Sequence, residues 1–149
     1  MARVPAAVAI VSAPGTGGPA GATANAVTSL SLDPPLMLAC LDRGSRTLAL
    51  IEAAGRFGIS YLDADGEGLA RAFATKDPHQ EKWRDAPRVE HGGVPIIDGA
   101  LAWMACELRD LHEGGDHVIA VGEVVELGSR DADPLVFWAG GYRPLGEDG

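Results

Sequence analysis

The 149-residue sequence has few positive charges, since 12 Lys and Arg stand against 21 Asp and Glu and leave a formal net charge of −9. Nucleic acids and anionic membranes are bound by surfaces with a clear excess of Lys and Arg. The lack of that excess excludes both as expected partners. An anionic ligand would have to be held by local features of the fold rather than by the field of the whole protein.

Cysteine and long apolar runs are also scarce. Cys40 and Cys106 each lie inside a short apolar run, so we expect two buried thiols and no disulfide framework. The longest apolar run is far shorter than the roughly 18 residues that a membrane-spanning helix needs. Residues 3–15 loosely resemble a signal peptide, but their single charge and the interrupting Pro5 favour a first β-strand. We therefore expect a cytoplasmic protein.

What the sequence does contain is a series of short apolar segments bounded by Pro and Gly. Apolar residues make up 46% and charged residues 22% of the chain, which is typical of a globular protein, and the length suits one domain over residues 1–149. Segments rich in Val, Ile and Thr predict strands. These are residues 4–12, 21–32, 36–41, 57–62, 101–108 and 116–127, with a last apolar piece at 134–145.

Two other segments have helical rather than strand periodicity. Apolar residues recur at helical spacing from Leu48 to Ala54, where Ser45 or Thr47 can cap the start and Gly55 can end the helix. Residues 66–75 predict a second short helix. These segments do not alternate regularly with the strands, so a doubly wound parallel sheet is disfavoured. An antiparallel barrel with attached helices fits better.

The connections are predicted from their polar and glycine-rich composition. Residues 76–95 are polar enough to predict a surface excursion, and Gly114 with Gly115 predicts a hairpin turn. Residues 15–20 match the dinucleotide-binding pattern G-x-G-x-x-A, which works only when a helix opens directly after it. Pro19 and Gly21 interrupt such a helix, and strand-like residues follow. Residues 15–20 are therefore predicted to be a turn.

Residues 20–35 combine small residues with hydroxyl and amide side chains. Gly21, Thr23 and Asn25 alternate along this segment, Ser29 and Ser31 follow, and two prolines end it. Small residues let a backbone approach a flat ring closely, while Thr, Asn and Ser can meet a polar ring edge. A polar edge strand without a ligand is the alternative interpretation.

Residues 42–47, DRGSRT, lie between a predicted strand and the first predicted helix. A helix N-terminus presents free N–H groups and a partial positive charge, which suits a phosphate group. The hydroxyls of Ser45 and Thr47 and the guanidinium groups of Arg43 and Arg46 would add donors and positive charge there. A helix start that is merely capped is the alternative.

These motifs, taken in order, resemble the flavin reductase-like family, whose members bind FMN or FAD in a split barrel. That family shows Gly-x-Thr-x-Asn, Ser-x-Ser, Pro-Pro and then Ser-x-Thr at a helix start, and residues 69–74, 92–108, 115–124 and 134–145 match its later segments. The resemblance implies a mostly β fold, an FMN-binding split β-barrel (antiparallel, Greek-key-like) with two or three short helices. It also implies a homodimer that completes the cofactor cleft.

The resemblance and the two motifs together suggest which residues contact the cofactor. The Ser-x-Thr pair is expected to hold the flavin phosphate, and the helix around Phe73 is expected to pass near the nucleotide end. No metal site is expected, because His79, His91 and His112 lack metal-ligand spacing. The expected cofactor-binding residues are Thr23, Ala24, Asn25, Ala26, Ser29, Leu41, Asp42, Arg43, Ser45, Arg46, Thr47, Phe73, Ala74 and Tyr142.

His117 is the candidate catalytic residue. It ends the sequence Gly115-Asp116-His117, which in the resembling family lies near the flavin and the nicotinamide. Its imidazole could position the nicotinamide or supply a proton near reduced flavin. A structural role, in which Asp116 and His117 close a hairpin and meet a second subunit, stays open.

The implied function is an NAD(P)H:flavin oxidoreductase that uses NADH or NADPH to reduce FMN or FAD. Resemblance to the reductase components of two-component monooxygenases implies a flavin-dependent monooxygenase as partner. One alternative is a protein of the same fold that binds flavin or haem without reducing free flavin, because a fold does not determine a function. A structural dimer module with an empty cleft is a third possibility.

Overall fold

The computed structural model describes residues 2–146, in which strands dominate. Among these residues are three helices, α1 (Arg46–Ala54), α2 (Glu67–Phe73) and α3 (His79–Trp83). The strands are β1 (Ala6–Ala7), β2 (Ala9–Ala13), β3 (Ala20–Ala24), β4 (Val27–Leu32), β5 (Pro35–Asp42), β6 (Arg56–Tyr61), β7 (Arg88–His91), β8 (Val94–Ile97), β9 (Ala102–Gly114), β10 (His117–Ser129), β11 (Leu135–Trp138) and β12 (Gly141–Pro144).

The main sheet has seven strands in the order β3-β2-β6-β9-β10-β5-β4, and each neighbouring pair is antiparallel. Residues 25–26 carry the chain from edge strand β3 directly to the opposite edge strand β4. One buried cluster takes side chains from both halves of the sheet, including Val11, Met37, Phe57 and Val118. Because both halves face a single core, the sheet curls into a barrel. The predicted antiparallel split-barrel class is confirmed.

Helix α1 forms where the sequence predicts it, because a residue that favours a helix start precedes it and a residue that favours a helix end follows it. Ser45 is the N-cap, and its Oγ accepts a hydrogen bond from the backbone N–H of Leu48 at 3.3 Å. Gly55 ends the helix at φ 71°, a left-handed conformation that suits glycine, and its N–H donates to the carbonyl of Ile51 at 2.8 Å. Leu48 and Ile51 are buried against the barrel core.

The glycine-rich segment at 15–20 is a turn, as predicted. It connects β2 to its antiparallel neighbour β3, and the N–H of Gly18 donates to the carbonyl of Gly15 at 3.1 Å. Strand β3 and not a helix follows the dinucleotide pattern, so the pattern presents no helix N-terminus to a phosphate. The predicted glycine hairpin between β9 and β10 also forms, with Gly115 at φ 72° in the turn.

The structure corrects two predictions about segments of the chain. Residues 21–32 are not one strand, because the chain bends at Asn25, so that β3 pairs with β2 at one edge of the sheet and β4 pairs with β5 at the other edge. Residues 76–95 lie mostly at the surface as predicted, but they are more ordered than their composition indicates, since they contain α3, β7 and the start of β8. Lys82 and Trp83 are buried there, and the Trp83 ring packs edge-on against Phe73 with centroids 4.8 Å apart.

The two cysteines have different environments. Cys106 is buried, and burial raises the pKa of its thiol to about 12. Cys40 is only half-buried, so the prediction of two buried thiols holds for Cys106 alone. Both thiols are free. No helix within residues 2–146 has the length and apolar character needed to cross a membrane.

Candidate functional site

Two cavities adjoin each other where β3 and β5 meet the start of α1. We call them the strand cavity, of about 340 Å³, and the helix cavity, of about 530 Å³. Ala22, Thr23, Asp42 and Ser45 line both, so the two cavities form one continuous cleft. The strand cavity is further lined by Ala24, Asn25, Ala26, Cys40, Leu41 and His117, and the helix cavity by Gly44, Arg46, Thr47, Phe73, Ala74, Thr75, Lys76, His79 and Lys82.

Small residues and two polar side chains form one side of the strand cavity. Ala22, Ala24 and Ala26 leave the backbone of this segment accessible to a flat ligand. The Thr23 hydroxyl donates to the carbonyl of Ala70 at 2.6 Å, so it can only accept a hydrogen bond from a ligand. The exposed amide of Asn25 can both donate and accept. This side therefore suits a planar ring with a polar edge.

Asp42 ends β5 and folds the next residues into a tight turn. Its Oδ1 accepts a hydrogen bond from the N–H of Gly44, and its carbonyl accepts one from the N–H of Ser45, both at 2.9 Å. Ser45 then caps α1, which leaves the N–H groups of Arg46 and Thr47 without an intrahelical acceptor. Free donors and the positive end of the helix dipole make this turn a site for an anionic group.

Arg46 ties the start of α1 to the connection between α2 and α3. Its Nη2 donates to the carbonyls of Lys76 and Asp77, at 3.2 and 2.6 Å. The side chain therefore orders the far wall of the helix cavity and brings a positive charge to it. This is a role that the sequence motif alone did not indicate.

Lys82 is a functional candidate that the sequence reasoning missed. Its buried Nζ donates to the carbonyls of Gly21 and Phe73, at 3.1 and 3.3 Å, and a third N–H remains for a ligand. Burial lowers the pKa of Lys82 and nearby Arg46 lowers it further, while Asp77 raises it. No sequence signal pointed to Lys82, because a lysine in a polar segment normally lies in solvent.

His117 lines the strand cavity at the start of β10, where it pairs with Asp42 of β5. Its Nδ1 lies 2.8 Å from Oδ1 of Asp116, and this hydrogen bond is the main reason why the pKa of Asp116 is lowered. An ionised carboxylate only accepts hydrogen bonds, so Nδ1 carries a proton and Nε2 is the nitrogen available to a ligand. The pair can therefore hold a polar ligand group or move a proton at Nε2.

Three predicted cofactor residues line neither cavity in the single chain. Ser29 is exposed on edge strand β4. Tyr142 packs edge-on against Phe137 with centroids 5.2 Å apart, and the Arg71 guanidinium lies 5.2 Å from its ring centroid. Arg43 extends toward the turn between β9 and β10. The cofactor contacts of these three residues stay predictions, whereas the other eleven predicted residues come together in the cleft.

Arg43 joins the turn before α1 to the hairpin that carries His117. Its Nη2 donates to the carbonyl of Gly115 at 2.9 Å and forms an ion pair with Glu113. Its backbone N–H donates to the carbonyl of Asp116 at 3.0 Å. Hydrogen bonding to Glu113 raises the pKa of Arg43. These contacts give Arg43 the geometry of a residue that positions His117.

The fold and this cleft define an antiparallel split barrel that can hold a planar ring on its strands and a phosphate at a helix start. The flavin reductase like domain model matches residues 1–146. The chain therefore belongs to the flavin reductase-like family, as its motifs predicted.

Individual relatives agree with that assignment. The reductase subunit HsaB of a flavin-dependent monooxygenase from Rhodococcus jostii is 34% identical over 145 residues, which are 95% of this chain and 72% of the relative. A probable flavin reductase of Rhizobium meliloti is 38% identical over 127 residues, and the match spans 85% of this chain but only 40% of the relative. The NADH:FAD oxidoreductase SgcE6 of Streptomyces globisporus, solved with NAD and FAD fragments, superposes with a TM-score of 0.92 at 33% identity, covering 99% of this chain and 90% of that one.

Proposed function

We propose that this chain is an NAD(P)H-dependent flavin reductase that supplies reduced FMN or FAD to a partner monooxygenase. The observation that carries the proposal is the continuous cleft, in which a surface of small residues leads directly to the free N–H groups of α1. In a flavin nucleotide the flat ring is likewise followed by a phosphate, so the ring would lie on the small residues and the phosphate at the start of α1. The names of the relatives, which include an NADH:FAD oxidoreductase and a monooxygenase reductase subunit, support the same reaction and partner.

Different residues of the cleft would bind the phosphate, the flavin ring and the nicotinamide. When bound, the flavin supplies the redox chemistry, because its ring can accept a hydride from a reduced nicotinamide. Ser45, Thr47 and the first turn of α1 would hold the phosphate, and the small residues of β3 would let the ring lie close to the backbone. His117 would hold the nicotinamide or move a proton at Nε2.

We further propose a homodimer. Leu30 and Leu32 are 51% and 93% exposed on edge strand β4, and Leu127 at the end of β10 is 64% exposed. Large exposed apolar side chains on an edge strand are typical of interaction surfaces, and a two-fold dimer is the commonest closed assembly. Analytical ultracentrifugation tests this, and a monomer would contradict it. The cytoplasmic location stays a prediction from the sequence.

The experiment that tests the function is NADH and NADPH oxidation by the purified protein, with FMN, FAD or no flavin added. Oxidation that requires added flavin, with its rate set by enzyme concentration, is the expected result. A bound yellow chromophore without turnover would favour a flavin-binding protein that is not a reductase. Absence of both flavin binding and turnover would contradict the proposal.

Replacing Arg43 by Ala tests its positioning role. We expect the KM for the nicotinamide to rise about tenfold, the effect of losing roughly one charge-assisted hydrogen bond, while the flavin Kd changes little. Arg109→Ala is the matched control, since Arg109 also forms an exposed ion pair, with Glu123 of the neighbouring strand. Exposed ion pairs contribute little to stability, so both variants should melt near wild type. An equal KM for the nicotinamide in the two variants would rule out a role of Arg43 in positioning His117.

A further inference from the structure

Another cavity lies outside the flavin cleft, on a different side of α3. We call it the rear cavity; its volume is about 300 Å³, at the lower end of the range of about 300–1,000 Å³ for small-molecule sites in proteins. No residue of the rear cavity lines the strand cavity or the helix cavity, so the proposed flavin site makes no use of it. The rear cavity is lined by Gly18, Pro19, Gln80, Trp83, Arg84 and Arg88.

Two guanidinium groups give the rear cavity a local excess of positive charge. Arg84 and Arg88 both line it and are exposed to solvent. Among the described residues Arg88 forms no ion pair, and Arg84 reaches one carboxylate, that of Glu81, at 3.5 Å. The chain as a whole has a net charge of −9, so this excess is confined to the cavity. Paired guanidinium groups suit a carboxylate, which can accept two hydrogen bonds from one arginine.

Trp83 adds a hydrogen-bond donor that has no partner. Its side chain is only 5% exposed, and its indole Nε1 is buried without an acceptor within residues 2–146. An indole N–H can only donate, and a buried donor without an acceptor carries an uncompensated desolvation cost. Because Trp83 lines the rear cavity, a ligand oxygen bound there can supply the missing acceptor.

The same cavity also has apolar surface. The Trp83 ring and the ring of Pro19, which belongs to the turn between β2 and β3, both line it. The Arg88 guanidinium lies 5.9 Å from the centroid of the Trp83 ring, so charge and apolar surface are adjacent. A small ligand with an apolar body and one anionic end matches this composition better than a fully polar anion does.

We infer that the rear cavity binds a small organic carboxylate. Arg84 and Arg88 would hold its carboxylate group, and Trp83 and Pro19 would contact its apolar part. This site goes beyond the proposed function, because none of its residues holds the flavin or the nicotinamide.

Helix α3 connects the rear cavity to the flavin cleft. The Trp83 ring packs edge-on against Phe73, which lines the helix cavity, with centroids 4.8 Å apart. The neighbouring Lys82 donates to the carbonyls of Gly21 and Phe73 on the cleft side. A ligand that fixes Trp83 therefore favours the same position of α3 as a ligand in the cleft does. Two ligands that favour one state bind with positive coupling, and this coupling is reciprocal. The coupling, unlike the site, rests on the proposed function.

Benzoate, benzamide and inorganic phosphate test the site in the purified protein without flavin, by isothermal titration calorimetry. We expect benzoate to bind at least about tenfold more tightly than benzamide, which has the same shape but no charge; tenfold is the effect of roughly one charge-assisted hydrogen bond. Phosphate should bind more weakly than benzoate. Equal binding of benzoate and benzamide, tighter binding of phosphate, or no binding of benzoate would each overturn the inference.

Two variants assign benzoate binding to the rear cavity. Arg88→Gln should weaken it about tenfold. Arg143→Gln is the matched control, since the Arg143 guanidinium also lies near a tryptophan ring, 5.0 Å from the Trp138 centroid, but outside the cavity. Trp83→Phe should weaken benzoate binding yet melt at or above the wild-type temperature without ligand, because no unpaired donor remains. Equal benzoate affinity in Arg88→Gln and Arg143→Gln would contradict the site.

The FMN affinity with and without saturating benzoate tests the coupling. We expect benzoate to lower the FMN Kd several-fold in the wild type and to leave it unchanged in Arg88→Gln. Weaker FMN binding would show that benzoate occupies the flavin cleft and would overturn the inference. An unchanged FMN Kd in the wild type would contradict the coupling through α3. A protein that binds benzoate but no flavin would contradict the proposed function and leave the rear site intact.

Discussion

Replacing Ser45 by Ala and Thr47 by Val together is expected to weaken FMN binding by about 1–3 kcal/mol, the cost of losing hydrogen bonds to a charged group. Both residues line the cleft where the first turn of α1 leaves its N–H groups free. Riboflavin lacks the phosphate, so its affinity should not change. The measurement is flavin fluorescence quenching, titrated in parallel with FMN and riboflavin.

Ser45 also caps α1, so the loss of the cap must be separated from the loss of a phosphate contact. Ser45→Asp makes this separation, because Asp is an equally good N-cap but brings a negative charge to the phosphate site. We expect this variant to melt at or above the wild-type temperature and to bind FMN more weakly than the double variant does. Tight FMN binding by Ser45→Asp would exclude the phosphate from the start of α1.

The predictions that hold depend on short-range chemistry. Helix α1 was predictable because its cap, its apolar spacing and Gly55 all lie within a few residues of one another. Most of the predicted cofactor residues come together for the same reason, since Thr23 to Ala26 and Asp42 to Thr47 are two continuous segments. The barrel needed only to bring these two segments side by side, which it does by closing β3 against β5.

The predictions that fail depend on tertiary contacts. Residues 76–95 looked polar, yet Trp83 packs on Phe73, and Lys82 is buried because backbone carbonyls of two other segments accept from its amine. A helix as short as α3 has little intrinsic stability and forms because of these contacts. Arg43 likewise has the composition of a phosphate ligand, but Glu113 and the carbonyl of Gly115 provide its partners. No local sequence pattern predicts these tertiary partners.

Replacing His117 by Ala is expected to lower kcat/KM for the nicotinamide substrate by about 10²–10⁴-fold if His117 moves a proton, the usual range for a positioned acid or base. His117 lines the strand cavity, and Asp116 holds its Nδ1, so Nε2 is the nitrogen that the substrate would meet. The flavin Kd should stay near wild type, because the phosphate site lies at α1. Stopped-flow measurement of flavin bleaching at saturating flavin isolates this step from binding.

His112→Ala is the matched control, because His112 is an exposed histidine of the same hairpin, opposite Ile119 of β10, and does not line the cleft. It should leave turnover unchanged. Asp116→Asn should cost less than the loss of the imidazole, because the amide oxygen still accepts from Nδ1 but no longer carries a charge. A structural role for His117 would instead lower the melting temperature of His117→Ala and change its oligomeric state while turnover per folded molecule stays the same.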